Sequence, residues 1–331
     1  MTTLWELNNV SLETNRTARL RDVTVRVESG LTAVLGYSGC GKTSLLNLLV
    51  EFEKPSRGTV TRKLANSRLP LFWVPQNGGL WNHVTAQGHI DAVSGDESWL
   101  AMFDLEHREN SRPPELSQGE RARLAVARAV ASQADVLVMD EPLAHVDPGR
   151  VTSWFDVIVG SLEPRVSGTA IAADGTPEQM SAAPVPGASA RPLTKSLVFA
   201  THQPELVLRY AANVICLDAG GCVFSGSVRD LYEKPANSRL ASLLGHGNWI
   251  SKDESAKWLD HGDDTTGVVR PEQLRVEKSN DGKLRVVWSR DLGAIKETRV
   301  CHEASKDERT FVHSPGLKSE PGDWVRLVVL E

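Results

Sequence analysis

The chain has 331 residues, 40% hydrophobic and 24% charged, and its 37 basic and 42 acidic side chains leave a formal charge of −5. That length suggests about two folded domains, and the near-neutral balance lacks the excess of Lys and Arg that marks nucleic-acid binders. No stretch approaches the roughly 20 apolar residues of a membrane span, and the opening MTTLWELNNV has neither a basic nor an apolar leader region, so the chain reads as soluble and unexported.

Four cysteines (Cys40, Cys216, Cys222 and Cys301), none in CxxC spacing, point to reduced thiols rather than a disulfide framework or a zinc site. The nine histidines are scattered and none forms HExxH.

In chain order, short β-prone runs come first (LWEL, VTVRV), then Leu31 to Leu35, apolar enough for a buried strand that Gly36 ends. Thr43 to Val50, with leucines at 45, 46, 48 and 49, predicts a mostly buried helix. Asp135 to Met139 and Leu197 to Thr201 predict two more buried strands, each followed at once by polar residues, the pattern of a parallel sheet with its working groups at the carboxyl ends. Between about 160 and 195 the chain is rich in Ala, Pro, Gly, Ser and Thr and reads as a flexible insertion. A Gly-Gly turn in VICLDAGGCVFSG predicts a hairpin, and after a composition change near Gly245 to Asp264 short strands and turns predict a small β-barrel domain.

The strongest local signal is Gly36-Tyr37-Ser38-Gly39-Cys40-Gly41-Lys42-Thr43-Ser44 between a strand and a helix, the form of a P-loop. Glycines let backbone N–H groups close around phosphate oxygens at a helix N-terminus. Lys42 would reach the β- and γ-phosphates, and the Thr43 hydroxyl would serve Mg²⁺. Val136 to Asp140 is an apolar strand ending in Asp140 and Glu141, as in a Walker B element: Asp140 would hold Mg²⁺ through water and Glu141 would polarise the attacking water.

With these two elements in place, four others complete a pattern. Val74-Pro75-Gln76 resembles a Q-loop, Leu116-Ser117-Gln118-Gly119-Glu120 the LSGGQ signature, Leu143 to Asp147 a D-loop, and Thr201-His202 a switch histidine. In this order they resemble the ATP-binding subunits of ABC transporters over about residues 4 to 245. The resemblance implies an α/β P-loop NTPase cassette at 1–245 with a helical subdomain at about 77–130. It implies ATP and Mg²⁺ as ligands, with Thr43, Asp140 and Gln76 around the metal and Glu141, His202 and Gln76 in hydrolysis. It also implies an ATP-sandwich homodimer in which the signature residues of one copy, near its Asp147, meet the nucleotide of the other.

The chain departs from the family pattern in places. No aromatic stands at Glu13-Thr14-Asn15, where one usually stacks on adenine, and Trp5 reads as strand packing rather than a substitute. Gln118 and Glu120 replace the commoner Gly and Gln. The 55 residues from Asp147 to His202 are long and the stretch from Gln76 to Ser117 is short, suggesting a surface loop and a trimmed helical subdomain.

Pro235 to Gly245, followed by Asn248, and Val269-Arg270-Pro271-Glu272-Gln273-Leu274 resemble the end of the cassette and the C-terminal OB-like (TOBE) domain, here 246–331, of importers of sugars, polyamines, iron, sulfate and molybdate. The implied partners are a separate transmembrane permease and an external solute-binding protein, with no nucleic acid, at the cytoplasmic face of the membrane. The competing readings are a soluble ABC ATPase and a ligand-sensing regulatory module. One cassette without a heptad-rich arm argues against the first, and intact Glu141 and His202 argue against a non-hydrolytic form of the second.

Overall fold

The computed structural model describes every residue except 1, 15–16, 95, 97, 163–169, 172–176, 179–195, 261–264, 317–318 and 331. The chain divides into two compact units, Met1–Ser225 and Gly226–Glu331.

In the first unit, β1 (Thr3–Thr14) and β2 (Thr17–Glu28) form an antiparallel pair in which Leu7, Val10 and Leu12 meet Val25, Val23 and Leu20. All six of these side chains are buried, the one-sided alternation that a half-covered sheet requires. Trp5 is fully buried in the same core and its indole N–H donates to Leu49 O at 2.9 Å, so it is a packing residue, as expected.

β3 (Leu31–Leu35) leads through the P-loop into α1 (Lys42–Leu49), whose Leu45, Leu46, Leu48 and Leu49 are all buried. β4 (Arg57–Arg62) completes the antiparallel sheet in the order β2-β1-β4, and β5 (Phe72–Val74) starts the central sheet's far edge.

The helical segment holds α2 (Ala86–Asp91), α3 (Ser98–Met102) and α4 (Gln118–Ala131). The first two are short, in keeping with the short interval before Ser117. Next come β6 (Val136–Asp140) and α5 (Pro148–Gly160). The insertion expected at 160–195 lies mostly outside the described residues, which include a two-residue antiparallel pair, β7 (Ala170–Ile171) and β8 (Pro177–Glu178).

β9 (Ser196–Thr201), α6 (Pro204–Tyr210), β10 (Asn213–Asp218) and β11 (Gly221–Ser227) follow. The central sheet runs β11-β10-β3-β9-β6-β5. Its pairs β10/β3, β3/β9, β6/β9 and β5/β6 are parallel, and every residue of β6 and β9 is buried, the signature of a sheet covered on both faces. Because Leu35 pairs with Thr201, Asp140 with Ala200 and Val74 with Met139, the P-loop, Glu141, His202 and Gln76 all leave the sheet at one end.

The second unit contains α7 (Val228–Glu233), α8 (Ser238–Leu243), β12 (Asn248–Ile250), α9 (Lys252–Trp258) and β13 (Gly267–Val269). It continues with β14 (Leu274–Lys278), β15 (Leu284–Asp291), β16 (Lys296–His302), β17 (Glu308–His313) and β18 (Trp324–Val329). The last five strands make one antiparallel sheet, β14-β18-β15-β16-β17, over a core that includes Leu274, Val300, Phe311, Val325 and Leu327. The short helix α9 lies within the composition change at Gly245 to Asp264, ahead of the run of strands.

Arg270 explains why α7 and α8 belong to this unit. Its buried guanidinium donates to Tyr232 O at 2.9 Å and to Ala241 O and His246 O at 3.1 Å.

Candidate functional site

The P-loop has the backbone that its glycines permit. A Cβ on Gly36 would stand 2.4 Å from Leu217 O, and Gly41, at φ 109°, would bring one within 2.8 Å of Arg19 O. No other residue fits either position without moving backbone. The loop's Tyr37, Ser38 and Gly39 are exposed while Cys40 and Ser44 are buried. Burial pushes the Cys40 thiol up, with Lys42 pulling it the other way, so Cys40 packs as a neutral thiol.

Lys42 is buried, and its ammonium donates to Gly36 O at 2.9 Å and Tyr37 O at 3.3 Å. It also lies 3.6 Å from Glu141 Oε1. Thr43 donates its hydroxyl to Asp140 Oδ2 at 2.7 Å, and Asp140 Oδ1 is buried without a hydrogen-bond partner among the described residues. An orphan carboxylate oxygen beside a threonine hydroxyl is the hard-oxygen chemistry that suits Mg²⁺, so these residues fit that ion.

Glu141 has a left-handed backbone, φ 47°, and its N–H donates to Ala200 O at 3.0 Å. This conformation is uncommon for a side chain of its size, and it turns the carboxylate from the end of β6 toward the loop. Its Oε1 lies 3.3 Å from His202 Nδ1, and the histidine is mostly exposed. Lys42, Glu141 and His202 therefore form a continuous polar row.

A cleft of about 560 Å³ runs beside the P-loop, lined by Ser38, Lys42, Thr43, Gln76, Glu141 and Arg19 among others. It gathers phosphate-loop residues with the metal and hydrolysis candidates Thr43, Gln76 and Glu141, whereas Asp140 and His202 do not line it and reach it through their contacts with Thr43 and Glu141. The signature residues do not line it. Ser117 caps α4, accepting from Glu120 N–H at 3.2 Å, while Glu120 Oε2 accepts from Ser117 N–H at 2.8 Å. Glu120 also takes the Arg108 Nε–H at 2.9 Å. Burial works against its ionisation, but the Ser117 donors and Arg108 outweigh it and hold the carboxyl at about 2. The Glu at this position thus supplies a capping box.

Gly119 packs on the D-loop, where a Cβ would stand 3.1 Å from His145 O. Leu116 is buried, and Asp147 caps α5 by accepting from Gly149 N–H at 2.8 Å. Gln118 lines a second, smaller cleft together with Gln76, Glu141 and His145.

Three features escaped the sequence pattern. Arg19 and Arg21 form a wall of the main cleft. Gly220 stitches that wall to the P-loop, since Arg21 N–H donates to Gly220 O at 2.8 Å and Gly220 N–H to Cys40 O at 3.1 Å. Arg128 of α4 clamps the loop after Gln76 through Gly78 O and Gly79 O, at 3.2 and 3.0 Å. All three rest on contacts between distant segments, and no spacing rule announces them.

Residues 20–144 match the family model for ABC transporters. The chain is 30% identical over 262 residues to the Fe(3+) ions import ATP-binding protein FbpC of Brucella melitensis, covering 73% of this chain and 66% of that protein's length. It is 26% identical to the spermidine/putrescine import ATP-binding protein PotA of Oleidesulfovibrio alaskensis, over 96% of this chain and 87% of that one. Among solved structures, an ATP-binding subunit of an ABC transporter superposes with a TM-score of 0.53 at 20% identity, covering 70% of this chain and 93% of that chain. A dimeric ATP-binding cassette in a post-hydrolysis state, bound to ADP and Pi, superposes with a TM-score of 0.52 at 23% identity, covering 68% and 99%. With the fold, the ordered motifs and these relatives in agreement, the chain belongs to the ABC transporter family.

Proposed function

We propose that this subunit hydrolyses ATP and couples the cycle of binding and hydrolysis to solute import through a separate membrane permease. The observation that carries the proposal is the row Lys42, Glu141 and His202 beside the Thr43–Asp140 pair, all at one end of the sheet.

In this proposal the glycine-rich loop from Gly36 to Ser44 wraps the phosphates with its N–H groups, and Lys42 exchanges the loop carbonyls for phosphate oxygens. Thr43, Asp140 and Gln76 would hold Mg²⁺, which would supply charge neutralisation to the phosphates. Glu141 orients and polarises the attacking water, and His202 fixes the carboxylate in that position. The cassette in this sense runs through 245, and 246–331 is an OB-like accessory domain.

Leu116, Ser117, Gln118, Gly119 and Glu120 act on the nucleotide of a second copy. The capped N-terminus of the 14-residue helix α4 offers positive potential to a γ-phosphate. Loss of that phosphate removes the link across the dimer and lets it reopen, so hydrolysis biases a two-state clamp. No helix among the described residues is long and apolar enough to cross a membrane, and the subunit works on a permease at the cytoplasmic face. The names of the relatives point to a cationic cargo, ferric ion or polyamine, read by the permease and an external binding protein.

Phosphate release from ATP by the purified chain, with and without Mg²⁺, tests the ATPase. Recovery of tagged Glu141→Gln protein from solubilised host membranes in the presence of ATP tests the coupling. A polytopic permease in the eluate is the expected result, and recovery of soluble partners alone overturns the import reading.

A further inference from the structure

The main cleft is walled on the side of β2 by Thr17, Ala18, Arg19 and Arg21, and none of the described residues lining it is aromatic. Arg19 is the best anchored of these. Its carbonyl packs against two glycines, the P-loop's Gly41 and the hairpin's Gly220, where added Cβ atoms would come within 2.8 and 2.9 Å of it. The backbone of Arg19 is therefore set directly on the phosphate loop.

Its side chain is fixed as well. The guanidinium meets Glu53 through both terminal nitrogens, with Nη1 to Oε1 at 3.1 Å, and Asn47 Nδ2 donates to the same Oε1 at 3.3 Å. Nε is buried without a hydrogen-bond partner among the described residues. With the fork turned to Glu53 and Nε out of reach, a ligand in the cleft meets chiefly the flat face of the guanidinium. That face is planar, weakly hydrated and suited to stacking on an aromatic ring.

Resting on the ATPase reading above, we propose that the Arg19 guanidinium is the platform on which the nucleobase lies, and that this platform makes the subunit accept guanine as readily as adenine nucleotides. A stacked face has no way to read the hydrogen-bonding edge of a base, because every base offers a π-surface. The clamp by Glu53 fixes the platform before the ligand arrives, which lowers the ordering cost of binding.

Calorimetric titration of the whole protein with Mg²⁺ and the β,γ-imido analogues of ATP and GTP, alongside inorganic tripolyphosphate, separates base from phosphate contacts. The wild-type chain binds the two analogues within about threefold of each other, and Arg19→Ala weakens both about tenfold while tripolyphosphate binding is unchanged. Arg19→Lys, which keeps the charge and loses the plane, behaves like the alanine variant, and Arg19→Tyr regains the affinity. Unchanged tripolyphosphate binding in each variant also shows that the P-loop is folded. A parallel loss of tripolyphosphate affinity makes Arg19 a phosphate contact and overturns the proposal. So does a preference for the adenine analogue beyond about tenfold, or an Arg19→Ala protein that binds the analogues like the wild type. Failure of the ATPase reading itself looks different: the wild-type chain then binds none of the three ligands.

Discussion

Thr43 and Asp140 are tied by a hydrogen bond of 2.7 Å that uses one carboxylate oxygen and leaves the other buried and unpaired. Burial raises the Asp140 pKa, the Thr43 bond opposes the rise, and the Glu141 charge adds to it. A carboxyl whose folded pKa exceeds its unfolded value costs stability at neutral pH, and the cost vanishes as pH falls below the unfolded value. The nucleotide-free Asp140→Asn protein is therefore expected to be more stable than the wild type by about 1 kcal/mol at pH 7. Thermal melts should show the gap closing toward pH 4, while phosphate release by the variant is lost. A variant that melts below the wild type at pH 7 contradicts this account.

Glu141 stands between Lys42 at 3.6 Å and His202 at 3.3 Å, so its two neighbours act through one carboxylate. Glu141→Gln should lower phosphate release by about 100-fold or more, the range for loss of a positioned base. Since His202 works by holding that carboxylate, the Glu141→Gln, His202→Ala double variant should be no slower than Glu141→Gln alone. Independent, multiplying losses in single-turnover assays would separate the two residues.

The motifs were legible because each encodes a local necessity. Gly36 and Gly41 occupy positions where a Cβ would strike backbone, and the continuous apolar runs ending in Asp140 and Thr201 are what a doubly covered parallel sheet demands. Illegible were the contacts that join segments far apart in sequence. Arg19 reads as one polar residue in an alternating strand until Gly41, Gly220 and Glu53 surround it. Glu120 looks like a departure from the signature until its capping bonds to Ser117 appear. Helices α7 and α8 continue the cassette-like sequence, yet carbonyls at their ends go to Arg270.

The loop after Gln76 carries a pH-dependent tie. His89 is fully buried, its Nδ1 paired with Thr85 O at 2.8 Å and its Nε2 accepting the Trp81 N–H at 2.9 Å, an arrangement that requires the neutral ring. Burial lowers its pKa, against the pull of the Thr85 bond and with help from Arg128 and His83. The unfolded segment then binds a proton more readily than the folded one, so the tie weakens as pH falls through about 6.5 and the loss levels off below the folded pKa. Hydrogen exchange at the Trp81 amide, corrected for intrinsic rate, should rise between pH 7.5 and pH 5.5, and an unchanged rate would contradict this account. Buried His313 shifts in the same direction, so a global melt would mix the two and a local probe is needed.

Arg270 is the pin of the second unit. The residue is 2% exposed, and its guanidinium satisfies carbonyls of Tyr232, Ala241 and His246 and stacks 4.1 Å from the centre of the Tyr232 ring. Burial lowers its pKa, with Tyr232 and Glu272 acting the other way, and the group stays charged because no arginine approaches neutrality in this range. Removing it orphans several buried carbonyls at about 1–3 kcal/mol each, so Arg270→Ala should strip protection from α7 and α8 in hydrogen exchange and lower stability by about 3 kcal/mol or more. Lysine brings a charge but no fork, and cannot reach Tyr232 O, Ala241 O and His246 O together. Arg270→Lys should therefore recover only part of the loss; full recovery would mean that charge rather than geometry holds α7 and α8 in place.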